Sequence, residues 1–289
     1  MKFWQSVAFA APDELLELAR IAEEVGFHGV FCSEHVFFPE RLESRYPYSP
    51  SGEPLFTAET PWLDPWVQIA AMAAVTRTLR FVTGVYILPL RHPLEVAKTV
   101  ASVALLSGDR VGLGVGAGWM REEFAVLGRE FAGRGKRLDE QIAVIRKVWA
   151  GGMVEHHGVY YDFPRLQMSP PPRVAPPILI GGGSEAALRR AARLGDGWVG
   201  SGHGLEEALG VIGRLRALRR EAGREREPFD IILVLNAPAS VDDLRRFEDV
   251  GVTSLVSWPL AFTLGPQATM AEKRRYLESY AADVIAKLP

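Results

Sequence analysis

The stretch "VGLGVGAGW", Val111 to Trp119, decides the fold of this 289-residue chain. Read from Gly112 it fits G-x-G-x-x-A, the phosphate-binding fingerprint of a dinucleotide fold, and it equally fits a strand with glycine at every second position. A dinucleotide turn needs its glycines after a strand and at a helix entrance, with an acidic residue at the end of the next strand. Here the glycines lie within the strand, and Asp139, about twenty residues on, sits inside an amphipathic helical pattern. The stretch is therefore a strand. Its period of two puts Gly112, Gly114, Gly116 and Gly118 on one face. Glycine inside a strand marks close approach by a ligand or another backbone. Gly112 and Gly114 read as a tight spot in a closed sheet. Gly116 and Gly118, at the C-terminal end, read as room for a flat ligand.

Working outward, apolar β-rich runs alternate with helical patterns throughout. "FWQSVAF" and "GVFCSEH" precede the first two helices, and "LRFVTGVYIL" precedes "HPLEVAKTVASVALLS". "ILIGGG", "GWVG", "FDIILVLN" and "TSLVSWP" each lead into a helix in the second half. With the glycine strand this makes eight β-then-α units, which predicts an α/β fold, a (β/α)8 TIM barrel with insertions. A doubly wound sheet is the alternative. Residues 1–289 read as a single domain carrying two insertions, 36–63 and 153–176. The first holds Tyr46, Tyr48, Phe56 and Trp62, with Trp66 just beyond. A connection of that length is usually functional, and it reads as a lid. The second combines a hairpin-like patch, "VEHHGVYYDFPRLQM", with the Pro-rich "SPPPRVAPP".

Composition narrows the function. A net charge of -2 carries no polyanion-binding signature, so no nucleic-acid partner is expected. The basic run Arg214–Arg226 is interrupted by Glu221 and Glu225 and reads as a solvated helix face. The single cysteine, Cys32, supplies neither a disulfide framework nor a cysteine-rich metal site. His156 and His157 are adjacent, so on a strand they would not converge on one ion, and they read as exposed loop residues. No metal is expected. No apolar run reaches bilayer length and the N-terminus lacks a signal-peptide pattern, so a cytoplasmic enzyme without a membrane partner is the expectation.

Four segments resemble a known family. Gly26–His35 resembles the second strand of the luciferase-like monooxygenase superfamily, and Thr60–Val103 its second and third units. Leu106–Glu140 resembles its fourth unit, and Pro176–Trp198 its phosphate-binding unit. The wording "PWLDP", "LPLRHP", "GAGW" and "GDGW" is most similar to the branch of F420-dependent oxidoreductases. The resemblance implies a barrel with a deazaflavin or flavin in its mouth and a homodimer. It also implies a non-prolyl cis bond at Gly84–Val85, for which the residues alone allow an ordinary strand running into a loop. The implied cofactor site comprises Thr83, Gly84, Val85, Gly116, Ala117, Gly118, Trp119, Gly181, Gly182, Gly183 and Ser184. Two departures stand out. The family commonly has "LDRLSGGR" where this chain has "VALLSGDR", with Ala104, Leu105 and Asp109 at the changed positions. Trp119 stands where the sugar-phosphate dehydrogenases of the family carry a catalytic glutamate, which argues against a sugar-phosphate substrate.

Chemistry is expected at His35 and Glu34, which end the second strand, where barrel enzymes place catalytic groups. An imidazole there can exchange a proton near neutral pH. A satisfied structural histidine is the competing reading, and Glu34 has an alternative as a cap or as a partner of Arg91. His92, before Pro93, reads equally well as structural. The turn Gly181–Ser184 precedes a helix, and its amides suit a phosphate. The expected activity is hydride transfer between F420 and a small organic carbonyl, alcohol or activated alkene. One alternative is an FMN-dependent monooxygenase fed by a separate reductase; another is a non-catalytic flavin-binding protein.

Overall fold

A computed structural model describes residues 1–235 and 239–288 of the chain. Eight parallel strands close into a barrel, which excludes the doubly wound sheet. They are β1 (Lys2–Ser6), β2 (Gly29–Cys32), β3 (Arg80–Thr83) with its short continuation β4 (Tyr86–Ile87), and β5 (Val111–Gly116). An antiparallel hairpin, β6 (Val154–His157) and β7 (Asp162–Leu166), stands outside the barrel. The barrel resumes with β8 (Ile178–Gly181), β9 (Gly197–His203), β10 (Asp230–Leu235) and β11 (Ser254–Val256). Pairing of β3 with β5 and of β1 with β11 completes the ring. The tenth strand was expected to run to Asn236, which lies outside the described residues.

The helices are α1 (Leu15–Glu24), α2 (Pro65–Ala74), α3 (Pro93–Ser107), α4 (Arg121–Val126), α5 (Arg134–Trp149), α6 (Glu185–Leu194), α7 (Leu205–Glu221), α8 (Val241–Asp249), α9 (Leu260–Leu264) and α10 (Met270–Asp283). Their ends follow local chemistry. The Asp64 carboxylate accepts from the Trp66 and Val67 amides, and Pro65 fills the first position of α2. Among the described residues no helix is long and apolar enough to cross a membrane.

Alternation along the strands sorts side chains into two cores. Val111, Leu113 and Val115 of β5 face the helices with Cys32, Phe81, Ile180 and Trp198. Trp4, Phe31, Val82, Leu179, Val199, Ile232 and Val256 fill the barrel interior. The bare face of β5 belongs to that interior. A side chain at Gly114 would strike the Thr83 carbonyl, and one at Gly84 would overlap the Phe31 ring. The structure corrects the reading of Gly116 and Gly118 as open room. A Cβ at Gly116 would lie 2.6 Å from Val85, and one at Gly118 would lie 2.7 Å from Ile87 and 2.8 Å from Phe124. Large residues of neighbouring segments occupy the volume that these glycines leave, as close packing of a barrel interior demands.

Three further expectations change. The third strand is broken after Thr83, and Leu88–Leu90 forms a 3-10 turn. His156 and His157 belong to β6 and not to a loop; half-buried His156 faces Glu140 while exposed His157 faces Asp162. In the basic run, Arg219 is buried over the Phe229 ring and donates to the Arg224 and Glu227 carbonyls.

Candidate active site

Beyond the end of β2 the strand alternation continues and separates the two expected acid–base residues. Phe31 joins the barrel interior and Cys32 the outer core. His35 then points into the mouth and Glu34 points away from it. Glu34 Oε1 accepts from the Ile87 amide (2.6 Å) and from Arg91 (2.7 Å), and Oε2 accepts from the other Arg91 nitrogen (2.7 Å). Burial pushes this carboxyl upward from its ordinary range, against the pull of the guanidinium. Arg91 in turn lies 4.0 Å over the Tyr86 ring. Both Glu34 oxygens are occupied in a bidentate pair that fixes the β4 return, so its geometry is that of a positioning group. His92 caps α3, its Nδ1 accepting from the Leu94 amide.

His35 is surrounded by rings. Phe56 lies 4.5 Å away, Trp62 5.6 Å and Trp119 5.7 Å between centroids. Phe56 and Trp62 come from the 36–63 insertion, which therefore folds over the mouth. Trp66 does not join them; it is buried on α2 with its edge against Tyr86. His35 Nδ1 lies 3.3 Å from Glu123 Oε1, which also accepts the Val36 amide at 2.8 Å. Glu123 is only 1% exposed. A carboxylate can only accept, so Nδ1 is the donor in this contact, and Nε2 is the ring nitrogen left for the mouth. Sequence reading missed Glu123. Its signal was the pair "EE" in the first turn of a short helix, three and four residues after Trp119, a pattern that ordinarily reads as acids favouring a helix N-terminus. Glu122 beside it accepts from the Glu43 and Ser44 amides, and the Arg121 amide donates to Ser44 Oγ. The first turn of α4 thus holds the insertion in place.

The expected cofactor segments meet at one side chain. The Gly84–Val85 bond is cis. Val85 projects between Gly116 and Gly181, where a Cβ would lie 2.6 Å and 2.5 Å from its methyls. Thr83 Oγ1 donates to the Gly114 carbonyl (2.7 Å), and Ser33 Oγ donates to the Gly84 carbonyl (3.0 Å). Ala117 and Gly118 carry the chain outward to Trp119; the Gly118 carbonyl accepts from Arg134 at 2.9 Å. At the turn after β8, Gly182 has φ +112, its amide donates to the Val199 carbonyl, and its carbonyl accepts from Trp198 Nε1 (2.9 Å). Gly183 and Ser184 are exposed, and Ser184 Oγ caps α6 by accepting from the Ala187 amide. The other first-turn amides have no helical carbonyl to bond, the arrangement that favours an anion. Glu185, the nearest negative charge, is paired with Arg189 and Arg214.

The sequence profile of the luciferase-like monooxygenase family matches residues 4–246. The chain belongs to this family. An uncharacterized protein of Mycobacterium tuberculosis is 40% identical over 290 residues, covering all of both chains. The F420-dependent glucose-6-phosphate dehydrogenase of Amycolatopsis mediterranei is 35% identical over 200 residues, 68% of this chain and 55% of that one. The crystal structure of the monooxygenase RslO1 from Streptomyces bottropensis superposes over all of both chains with a TM-score of 0.79 at 21% identity, which shows the shared fold. Family and relatives mark this luciferase-like barrel as an oxidoreductase.

Proposed function

We propose that the protein transfers a hydride between F420 and a small organic carbonyl, alcohol or activated alkene. The observation that carries this reading is the His35 imidazole, turned into the mouth by the buried Glu123 carboxylate and set beside Trp119 at the end of β5. The F420-dependent relative supports the choice of cofactor. When bound, the deazaflavin supplies or receives the hydride. The residues fit an anionic cofactor with a flat ring system. Exposed Gly183 and Ser184 leave the start of α6 open to a phosphate, and Thr83–Val85 with Gly116–Trp119 form the wall. His35 Nε2 gives a proton to, or takes one from, the substrate oxygen. The ring-lined insertion keeps water from that exchange.

Titration of the purified protein with F420 and with FMN tests the reading. Submicromolar F420 binding with much weaker FMN binding supports it; the reverse order favours the oxygen-activating monooxygenase. Ser184→Asp locates the phosphate. Aspartate caps a helix as well as serine does, so the apo protein should melt unchanged. Its charge should repel the phosphate and weaken cofactor binding about tenfold or more. Unaltered affinity in that variant would put the phosphate elsewhere.

A further inference from the structure

We infer that the substrate is a neutral, largely apolar alcohol or ketone, seated on a wall formed by Phe9, Trp62 and Phe262. The inference rests on the hydride-transfer reading of the same site and adds the substrate's chemical class.

In a barrel the mouth is built by the connections that follow the strands. Four of the seven whose residues are all described, residues 7–14, 182–184, 204 and 257–269, contain no lysine or arginine. The cations of the other three are spent or turned to solvent. Arg91 is locked to Glu34, and Arg129 donates to the Leu90 carbonyl. Arg121 and Arg134 stack on Phe131. Arg41 and Arg45 are exposed on the insertion. A phosphate or carboxylate brought next to His35 would lose its water without gaining a counter-charge, which is costly.

The connection after β1 lies beside the strand that leads to His35, and the connection after β11 lies one strand further round, because the ring runs β11–β1–β2. They supply rings in place of charge. Phe9 packs at 4.6 Å on Phe262 and at 5.6 Å on Trp62, whose edge meets His35 at 5.6 Å. The rings form a path from Phe262, 43% exposed, to the reacting imidazole. Phe9 has φ +66, a conformation bulky residues rarely adopt, so packing holds its ring on this wall against backbone preference. Trp62 Nε1 is buried with no hydrogen-bond partner among the described residues. One spare donor in an apolar wall matches a neutral hydroxyl or carbonyl oxygen.

Calorimetric titration with 1-tetralone, 1-naphthoate and glucose 6-phosphate tests this, on protein with and without F420. The two bicyclic probes share shape and differ in charge. 1-Tetralone should bind at least tenfold more tightly than 1-naphthoate or glucose 6-phosphate. Phe262→Ala should weaken 1-tetralone about tenfold and leave F420 affinity alone, and Phe262→Arg should shift preference toward 1-naphthoate. Glucose 6-phosphate or 1-naphthoate binding as tightly as 1-tetralone overturns the inference, as does a Phe262→Ala variant with unchanged 1-tetralone affinity. If F420 fails to bind while the probes keep the expected order, the hydride-transfer reading falls and the neutral-substrate wall stands. If F420 binds and an anion is preferred, the wall alone falls.

Discussion

At the lower rim of the barrel, where the strands begin, charged side chains are spent on the main chain. Buried Arg110, just before β5, donates to the Ala73, Thr76, Leu79 and Ser107 carbonyls and to Thr76 Oγ1. Glu23 Oε1 accepts the amides of Arg77 (2.8 Å), Thr78 (2.6 Å) and Leu79 (2.8 Å). Burial alone would raise its pKa, yet these bonds hold it at about 2. Asp196 accepts the Ile178 amide that starts β8. At the mouth the same strands end differently. Trp62 Nε1 has no partner, Phe9 sits at positive φ, and Glu123 divides its acceptance between His35 and the first amide of the insertion. Arg110, Glu23 and Asp196 spend their hydrogen bonds on backbone that secures the fold, whereas Glu123 at the mouth spends part of its own on the His35 imidazole. That division matches the separation of stability and chemistry between the two faces of a barrel.

The sharpest way to break the comparison is to exchange the two kinds of effect by mutation. At the mouth, His35→Ala should cut turnover by about 10²–10⁴-fold while changing F420 affinity little. Phe56 rests against this imidazole, so His35→Gln belongs beside it to separate proton transfer from packing. Equal losses in the two variants, measured as kcat, support acid–base chemistry. Recovery in the glutamine variant, or no loss in the alanine one, would make His35 structural.

At the lower rim the expectation inverts. Arg110→Met keeps an apolar stem and leaves four carbonyls and a hydroxyl without their donor. Denaturant unfolding should show a loss of about 3 kcal/mol, in the range for removing a buried charged hydrogen-bonding partner. F420 affinity and kcat, measured well below the melting temperature, should hold. A large fall in kcat with little loss of stability would erase the distinction between the two ends.

How much of this was legible in the chain depends on the range of each interaction. Local periodicity gave the eight units, the cap at Asp64 and the nature of the glycine strand. Extending that periodicity past Cys32 would also have chosen His35 over Glu34, since Phe31 and His35 share parity. The volume over Gly116 and Gly118 was not legible, because Val85, Ile87 and Phe124 reach it from other segments and no local pattern records a neighbour's shape. Glu123 escaped for the same reason: its partner lies 88 residues away. The cis bond at Gly84–Val85 was read from resemblance, since the residues alone permit an unbroken strand. The unread α9 carries Phe262 in five residues, too few for a helical period to declare itself.

The smallest expected effect concerns Asp109, the departure from the family's glycine. The helix before it ends at Ser107; Gly108 follows at φ +70, and Asp109 adopts φ +61 with its amide bonded to the Ala104 carbonyl. Only glycine takes this left-handed conformation without steric cost, although aspartate tolerates it better than most residues. Asp109 Oδ1 is buried without a partner among the described residues, so the carboxylate brings little compensation. Asp109→Gly relieves the backbone and loosens the unfolded chain, two effects of opposite sign. Relief should win, adding about 0.5 kcal/mol and raising the thermal midpoint by about 1–2 °C. Turnover should not change, because the residue lies at the lower rim. A lower midpoint in the glycine variant would show that the Asp109 side chain contributes to α3 or to the start of β5 beyond what its hydrogen bonds record.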